Sequence, residues 1–414
     1  MASQTIRREP PRVLVVGYNG ANNTGAEALL LADVADLRAV LGPDVRLTVP
    51  SLSIANLRRY LPESTTVRIV RMPTLFFAKV WRLVARHDLV VLVEGSTFMD
   101  SWGSALLSYF LWTARCAQLL GKPCLAYAVD AGELCPRNRR RTGRVASGMD
   151  LIVTRAAASG ERLRACGVAT RIEVTADNAF TFEPDPADAN LLEKAWPEAR
   201  GGVVGLAAVD FYLFPGVFAP FARKKDLYKW PYAFSRSRER TRAAAALAQE
   251  YADFADWLVT ERKRSVALIC MEELDGALAE DVRRRMRYGD LARVFSSREY
   301  TASQMTSLLR GLDLLVTSRY HAAVLSLARQ VPQVAVGHDL RLRSLYDELG
   351  LQSLFVDPLT PMLSETLKGH AARLLGNPAP ARDLLRRGYD EHVARARRNR
   401  DHLRDFVERF GWGR

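Results

Sequence analysis

A cation and a titratable ring stand two residues apart in TSRYHAA (Thr317–Ala323), directly after the apolar run Leu312–Val316. Such a run reads as a buried strand, and the residues after it read as a sharp turn into a helix opening near Tyr320. In α/β proteins ligands bind at that carboxyl edge of the sheet, and a helix N-terminus favours anions. Arg319 offers a planar fork for a carboxylate or phosphate, and His321 can exchange a proton near neutral pH. Ser318 and Tyr320 belong to the same candidate site. A salt-bridged Arg319 and a core His321 are the plainer alternative.

Four other strand ends carry polar groups. The first strand runs into GYNGANNTGAEAL (Gly17–Leu29), whose glycines let the backbone approach a ligand. This is not G-x-G-x-x-G, and no acid closes a second strand in the usual place, so a dinucleotide fingerprint is weak. Asn22, Asn23, Gly25 and Glu27 suit sugar hydroxyls better; a tight turn is the alternative. The second end is VEGSTFMD (Val93–Asp100), where Gly95, Ser96 and Thr97 could bind substrate or cap the next helix. Asp100 is a candidate acceptor for a hydroxyl proton. The third, DLIVTR, ends in Arg155 with Ser159 following, and the fourth, ADNAF, contributes Asp177.

The elements that must position these groups alternate. Strands are expected at Arg12–Gly17, Val45–Val49, Val67–Val70, Asp88–Val93, Pro123–Val129, Leu151–Thr154 and Arg171–Thr175. Helices fall at about Glu27–Leu41, Ala105–Leu120 and Ala157–Cys166, a pattern that indicates a parallel sheet. Between Phe182 and Gly202 the composition turns polar and turn-rich. The alternation then restarts with a strand at Val203–Val209 and a long helix at Ser237–Arg264. The expectation is an α/β chain with domains at 1–185 and 203–380 facing a central cleft, followed by a basic helix at 381–414. That last helix either packs across both domains or lies on a membrane surface. The aromatic and basic stretch Phe211–Tyr232 reads as a loop covering the cleft.

Taken together, N-x-G-x-E-A (Asn23–Ala28), G-S-x-x-x-D (Gly95–Asp100), D-L-I-x-x-R-x-x-x-S (Asp150–Ser159), A-D-x-x-F (Ala176–Phe180) and S-R-Y-H-A (Ser318–Ala322) resemble the polysaccharide pyruvyl transferase family. The resemblance covers most of residues 12 to 350, and S-R-Y-H-A is its most specific element. Three positions depart from the family's habit: Ala26 stands for an Asp, Glu94 for a Gly, and Asn178 for the Pro of an Asp-Pro pair. The resemblance implies two Rossmann-like domains of the glycosyltransferase-B type. It also implies transfer of a pyruvyl group from phosphoenolpyruvate to sugar hydroxyls as a ketal.

On that reading His321 is the acid that protonates the methylene carbon of phosphoenolpyruvate. Arg319 holds its carboxylate or phosphate, with Arg155, Arg341 or Arg343 as a second cation. Asp100 or Glu27 orients or deprotonates the acceptor hydroxyl. Phosphoenolpyruvate is a co-substrate, and neither a metal nor another cofactor is expected. A nucleotide-sugar glycosyltransferase on the same fold is the main rival, with Asp339 as its candidate ribose ligand. A non-catalytic binder of anionic glycan or glycolipid is the third reading.

Composition sets the outer bounds. The 414 residues are 48% hydrophobic and 25% charged, with a formal charge of +13 concentrated in clusters such as Arg137–Arg144, Arg223–Lys225 and Arg283–Arg285. Such charge suits nucleic acid, an anionic membrane surface or an anionic substrate, and no nucleic-acid-binding motif accompanies it. No apolar run approaches the ~18 residues of a membrane span. The five cysteines are scattered and odd in number, which argues against a disulfide framework and a zinc site. The expected location is the cytoplasm, with contact at the inner face of the membrane as an added expectation.

Overall fold

The computed structural model of the chain describes residues 10–101, 103–212, 216–218, 221, 227–229, 232–234, 237–337 and 339–412, with the backbone alone for 216–218, 227–229 and 232. Arg223, Lys224, Lys225 and Trp230, in stretches singled out by the sequence, lie outside the described residues. The chain divides into two units. The first comprises the chain up to Ala21, Ala26–Phe182 and the chain from Glu391; the second comprises Asn22–Gly25 and Glu183–Asp390.

In the first unit, strands β1 (Arg12–Val16), β2 (Arg46–Ser51), β3 (Val67–Arg71), β4 (Leu89–Leu92), β5 (Cys124–Val129), β6 (Leu151–Thr154) and β7 (Ile172–Val174) alternate with helices. Those helices are α1 (Thr24–Leu41), α2 (Ile54–Leu57), α3 (Phe77–Ala85), α4 (Ser104–Leu119), α5 (Pro136–Ala146) and α6 (Ala157–Ala165). The described strands form one parallel sheet in the order β3-β2-β1-β4-β5-β6-β7. Continuous apolar strands are what a sheet covered on both faces requires. Alternate side chains of β1 serve opposite cores: Leu14 and Val16 pack with α3, α4 and α5, whereas Val13 and Val15 pack with α1.

The second unit repeats the plan. It holds α7 (Leu191–Ala195), β8 (Val203–Ala207), the short strands β9 (Gly216–Phe218), β10 (Leu227–Lys229) and β11 (Tyr232–Phe234), then α8 (Arg238–Arg262) and β12 (Ser265–Cys270). After these come α9 (Gly276–Arg285), β13 (Ala292–Ser296), α10 (Ala302–Arg310), β14 (Leu314–Thr317), α11 (Tyr320–Ser326), β15 (Gln333–Val336) and α12 (Leu340–Glu348). β16 (Phe355–Val356), α13 (Leu363–Gly376) and α14 (Ala379–Glu408) end the chain's regular structure. The main sheet is parallel, ordered β13-β12-β8-β14-β15-β16. Strand order reverses beside β8, which places a ligand-binding edge at the carboxyl ends of β8 and β14.

Three local expectations change. The stretch expected as a loop at Phe211–Tyr232 contributes β9, β10 and β11, an antiparallel sheet ordered β10-β11-β9, in keeping with its aromatic content. Helices α3 and α5 were not among the elements expected from the sequence. The buried face of α5 is Asn138, Thr142, Gly143 and Ala146, so it lacks an apolar stripe. In the basic terminal helix, Leu403, Phe406 and Val407 sit in the first unit's core with Leu30, Val34 and Leu37 of α1. Among the described residues no helix is long and apolar enough to cross a membrane.

Candidate active site

β14 is buried along its whole length and ends at Thr317, whose hydroxyl accepts from the Arg319 N–H at 2.9 Å and fixes the turn. The next helix opens where expected: α11 spans Tyr320–Ser326 and closes in a 3-10 turn through Arg329. Arg319 does not hang into solvent. Its Nε donates to both carboxylate oxygens of Asp275 at 3.1 and 3.0 Å, Nη2 donates to the same carboxylate, and Nη1 donates to Glu272 Oε2 at 3.1 Å. A guanidinium has five N–H groups, so two remain for a substrate oxygen.

The three charged side chains are a coupled set. Burial works against the charge on Arg319, and the two carboxylates more than restore it, so its pKa lies above the usual range. Burial raises the Asp275 carboxyl, and Arg319 pulls it back. One cation against two carboxylates leaves the cluster short of positive charge for a multiply anionic ligand.

Asp275 and Glu272 were not among the sequence candidates. They follow β12, whose end also gathers the N-x-G segment. Thr24 N–H donates to the Met271 carbonyl at 2.9 Å, Asn23 forms an antiparallel bridge with Glu272, and Asn22 Nδ2 donates to Glu273 at 3.1 Å. The Ser297 hydroxyl donates to the Asn22 carbonyl at 2.7 Å. Within the second unit, therefore, Asn22–Gly25 and His321 come together. A β-carbon on Gly25 would overlap the imidazole at Nδ1 and Cγ, so the ring rests on bare backbone. His321 and Tyr320 are half-buried, and their rings meet edge to face at 5.1 Å. Ser318 is 8% exposed. Arg341 is held by Asp339, which caps α12, so neither projects alone.

In the first unit the polar strand ends are joined, but by turning inward. The Arg155 side chain is 1% exposed and is shared between Asp130 at 2.9 Å and Asp177 at 2.5 Å. Gly95 packs flat on that guanidinium, where a β-carbon would lie 2.6 Å from Nη1. Ser159 donates to Asp130, which also accepts from the Ala131 N–H at 3.0 Å. Arg155 thus fastens the ends of β4, β5, β6 and β7, and Arg155, Gly95 and Asp177, each expected as a substrate ligand, lie together in a buried clasp. Asp130 was missed, although a lone acid after the apolar Leu125–Val129 was its signal.

Thr97, expected as a ligand or helix cap, is fully buried and donates to the Glu94 carbonyl at 2.6 Å. The next helix begins at Ser104 behind Gly103. Ser96 is half-buried, and its N–H donates to Glu94 Oε1 at 3.3 Å. Asp100, also half-buried, accepts from the Cys135 N–H at 3.0 Å and Asn138 Nδ2 at 2.7 Å, at the start of α5. Glu27 is 1% exposed. Its charge is one of the influences that, after burial, raise the Tyr60 hydroxyl above its usual range.

Two Rossmann-like domains with parallel sheets define the chain as an α/β protein of the glycosyltransferase-B fold type. Solved structures share the fold across nearly the whole chain. Anabaena HepE in complex with UDP aligns with a TM-score of 0.57 at 13% identity, over 96% of this chain and 99% of its own. A UDP-N-acetylglucosamine 2-epimerase from Listeria monocytogenes aligns at 0.61 and 13%, over 96% and 97%. The chain belongs to the polysaccharide pyruvyl transferase family, whose sequence pattern matches residues 23–339. The amylovoran biosynthesis protein AmsJ of Erwinia amylovora is 22% identical over 286 residues, a match spanning 66% of this chain and 62% of that relative's length.

Proposed function

We propose that this chain transfers a pyruvyl group from phosphoenolpyruvate to two hydroxyls of a sugar, glycan or glycolipid, forming a ketal and releasing phosphate. The observation that carries this reading is the meeting of His321 with the Asn22–Gly25 segment beside Arg319, at the carboxyl edge of β14. His321 gives a proton to the methylene carbon, and positive charge develops on the carbon bearing the phosphate oxygen. A first acceptor hydroxyl bonds to that carbon and loses its proton. The carbon–oxygen bond to phosphate then breaks, phosphate leaves with the electron pair, and the second hydroxyl closes the ketal and loses its proton; of the two hydroxyl protons, one restores His321 and the other leaves on the phosphate.

Arg319 supplies its two remaining N–H groups to a carboxylate or phosphate oxygen, held in orientation by Asp275 and Glu272.

The test is phosphate release from phosphoenolpyruvate, with mass analysis of candidate glycans for a pyruvate-sized gain. His321→Ala should lower turnover by about 10²–10⁴-fold with the fold intact. Gly25→Ala, which pushes the ring off its seat, should cost roughly 10²-fold. Near-normal phosphate release by His321→Ala would remove the acid from the scheme. The likeness to UDP-bound structures makes a nucleotide-sugar glycosyltransferase the second reading, and thermal stabilisation by phosphoenolpyruvate or by UDP separates the two.

A further inference from the structure

Helices α3, α4 and α5 lie side by side on one face of the first unit's sheet, packed on a common core. Trp112 of α4 donates its indole N–H to the Phe77 carbonyl at 3.0 Å, and Arg141 of α5 donates to the Ser108 hydroxyl of α4 at 3.3 Å. Every charged residue on these three helices is Lys or Arg. Arg82 on α3, Arg86 just after it and Arg115 on α4 are exposed. So are Arg137, Arg139, Arg140 and Arg144 on α5. Among the described residues none of these seven cations has an acidic partner in an ion pair, unlike the terminal helix, where Arg386 and Arg404 pair with Asp383 and Asp401. The nearest acids are engaged elsewhere or stand at the margin. Asp100 accepts from the start of α5, Asp88 pairs with Arg12, Asp150 accepts from the Cys124 N–H, and Glu133 is exposed in the turn before α5.

The same face exposes large apolar side chains that the core does not use. Leu75 is 79% exposed, Phe77 50%, Trp81 38% and Leu119 53%. Phe77 is propped edge to face on Trp112 at 5.7 Å rather than folded inward. Apolar and indole groups at the head of a helix, flanked by unpaired cations, match the interfacial zone of a bilayer with anionic headgroups. Nucleic acid would use the cations but has no use for an aliphatic Leu75 standing in water.

We propose that the α3–α4–α5 face docks on an anionic phospholipid surface, with Leu75, Phe77 and Trp81 entering the headgroup region and the arginines facing the lipid phosphates. This stands apart from the donor chemistry, since none of these residues belongs to the candidate active site. It also places membrane contact elsewhere than on the terminal helix, whose Leu403, Phe406 and Val407 are buried in the first unit's core.

The test is cosedimentation of the full chain with unilamellar vesicles of phosphatidylcholine alone, or with about 30% phosphatidylglycerol added to give an anionic surface potential. The unaltered chain should bind the anionic vesicles only, and less at about 0.5 M than at about 0.1 M salt. Arg139→Glu with Arg140→Glu should lower the bound fraction at least tenfold, at roughly fivefold per cation removed, and separately Leu75→Glu with Trp81→Glu should lower it at least as much by removing the apolar groups that insert and adding negative charge. Arg139→Lys with Arg140→Lys should keep it. Absence of binding to anionic vesicles, equal binding to phosphatidylcholine alone, or wild-type binding by either acidic pair overturns the proposal. So does binding of a DNA duplex without binding of vesicles. Should an acidic pair fail to fold, tryptophan quenching by brominated acyl chains in the unaltered chain decides, and unquenched fluorescence refutes insertion.

Discussion

Arg319 illustrates how a residue chosen for its chemistry is also tied into the fold. On type and spacing alone it reads as an anion ligand whose removal should spare the structure. Its two carboxylate partners change that expectation, because Asp275 is 3% exposed and Glu272 8% exposed. Arg319→Ala would leave buried carboxylates without their counter-charge, which costs about 3–5 kcal/mol when a buried pair is broken. Arg319→Lys keeps the charge but cannot reproduce the fork that spans Asp275. We therefore expect a markedly lower melting temperature for Arg319→Ala. Arg319→Lys should be nearly as stable as the parent chain, with turnover reduced in both. Equal melting temperatures for Arg319→Ala and the parent would mean that the ion-pair cluster contributes little to the fold. The motif located the cation and the ring, but the acids that orient the cation lie more than forty positions upstream, and nothing local in MEELD (Met271–Asp275) announced them.

At the scale of elements, α1 and α14 are held by a buried polar network. Asp33 and Asp36 of α1 are almost fully enclosed, and the Asn178 amide donates to both, at 2.8 and 3.0 Å. The Tyr127 hydroxyl donates to Asp36 at 2.8 Å, and Arg400 of α14 pairs with it at 2.7 Å. Asn399 of α14 donates to the Ala176 carbonyl at 3.0 Å. Asn178 is one of the chain's departures from the family's habit, and here it serves the carboxylates that no proline could reach. Burial raises the Asp33 carboxyl well above the usual range; the Asn178 hydrogen bond opposes this, and nearby Asp36, Asp177 and Glu94 reinforce it.

The folded chain thus binds this proton more tightly than the unfolded chain. The associated stability is complete below the ordinary carboxylate range and is lost as pH rises through the folded pKa. Asp33→Asn keeps an acceptor for Asn178 and abolishes the titration. It should melt higher than the parent at about pH 8, and the difference should shrink toward about pH 4, near the ordinary carboxylate value. Parallel melting curves across that range would show that Asp33 does not titrate on unfolding.

For the whole molecule, the decisive question is which small anion the chain stabilises itself around. Each reading makes its own ligand raise the melting temperature. A site ligand at a hundred times its dissociation constant adds about 2.7 kcal/mol, worth roughly 2–4 °C per kcal/mol in domains of this size. Phosphoenolpyruvate should therefore raise the melting temperature by several degrees, and His321→Ala or Arg319→Lys should reduce that shift. A shift with UDP and none with phosphoenolpyruvate would favour the nucleotide-sugar reading instead. Repetition of the strand plan in both sheets was legible because buried parallel strands are continuous apolar runs, such as RVLVV (Arg12–Val16) and SVALIC (Ser265–Cys270).

The sequence by itself determined the parallel α/β architecture, the polar strand ends and the S-R-Y-H element, because hydrophobic periodicity and short motifs are local. It could not determine which of those polar ends turn inward. Arg155 and Arg319 read alike, each a cation at a strand's end. Only tertiary structure decided that the first is sealed between Asp130 and Asp177 while the second stays partly open beside His321. That distinction depends on which distant residues the sheet order brings alongside, and burial of a charge is settled by its neighbours in space.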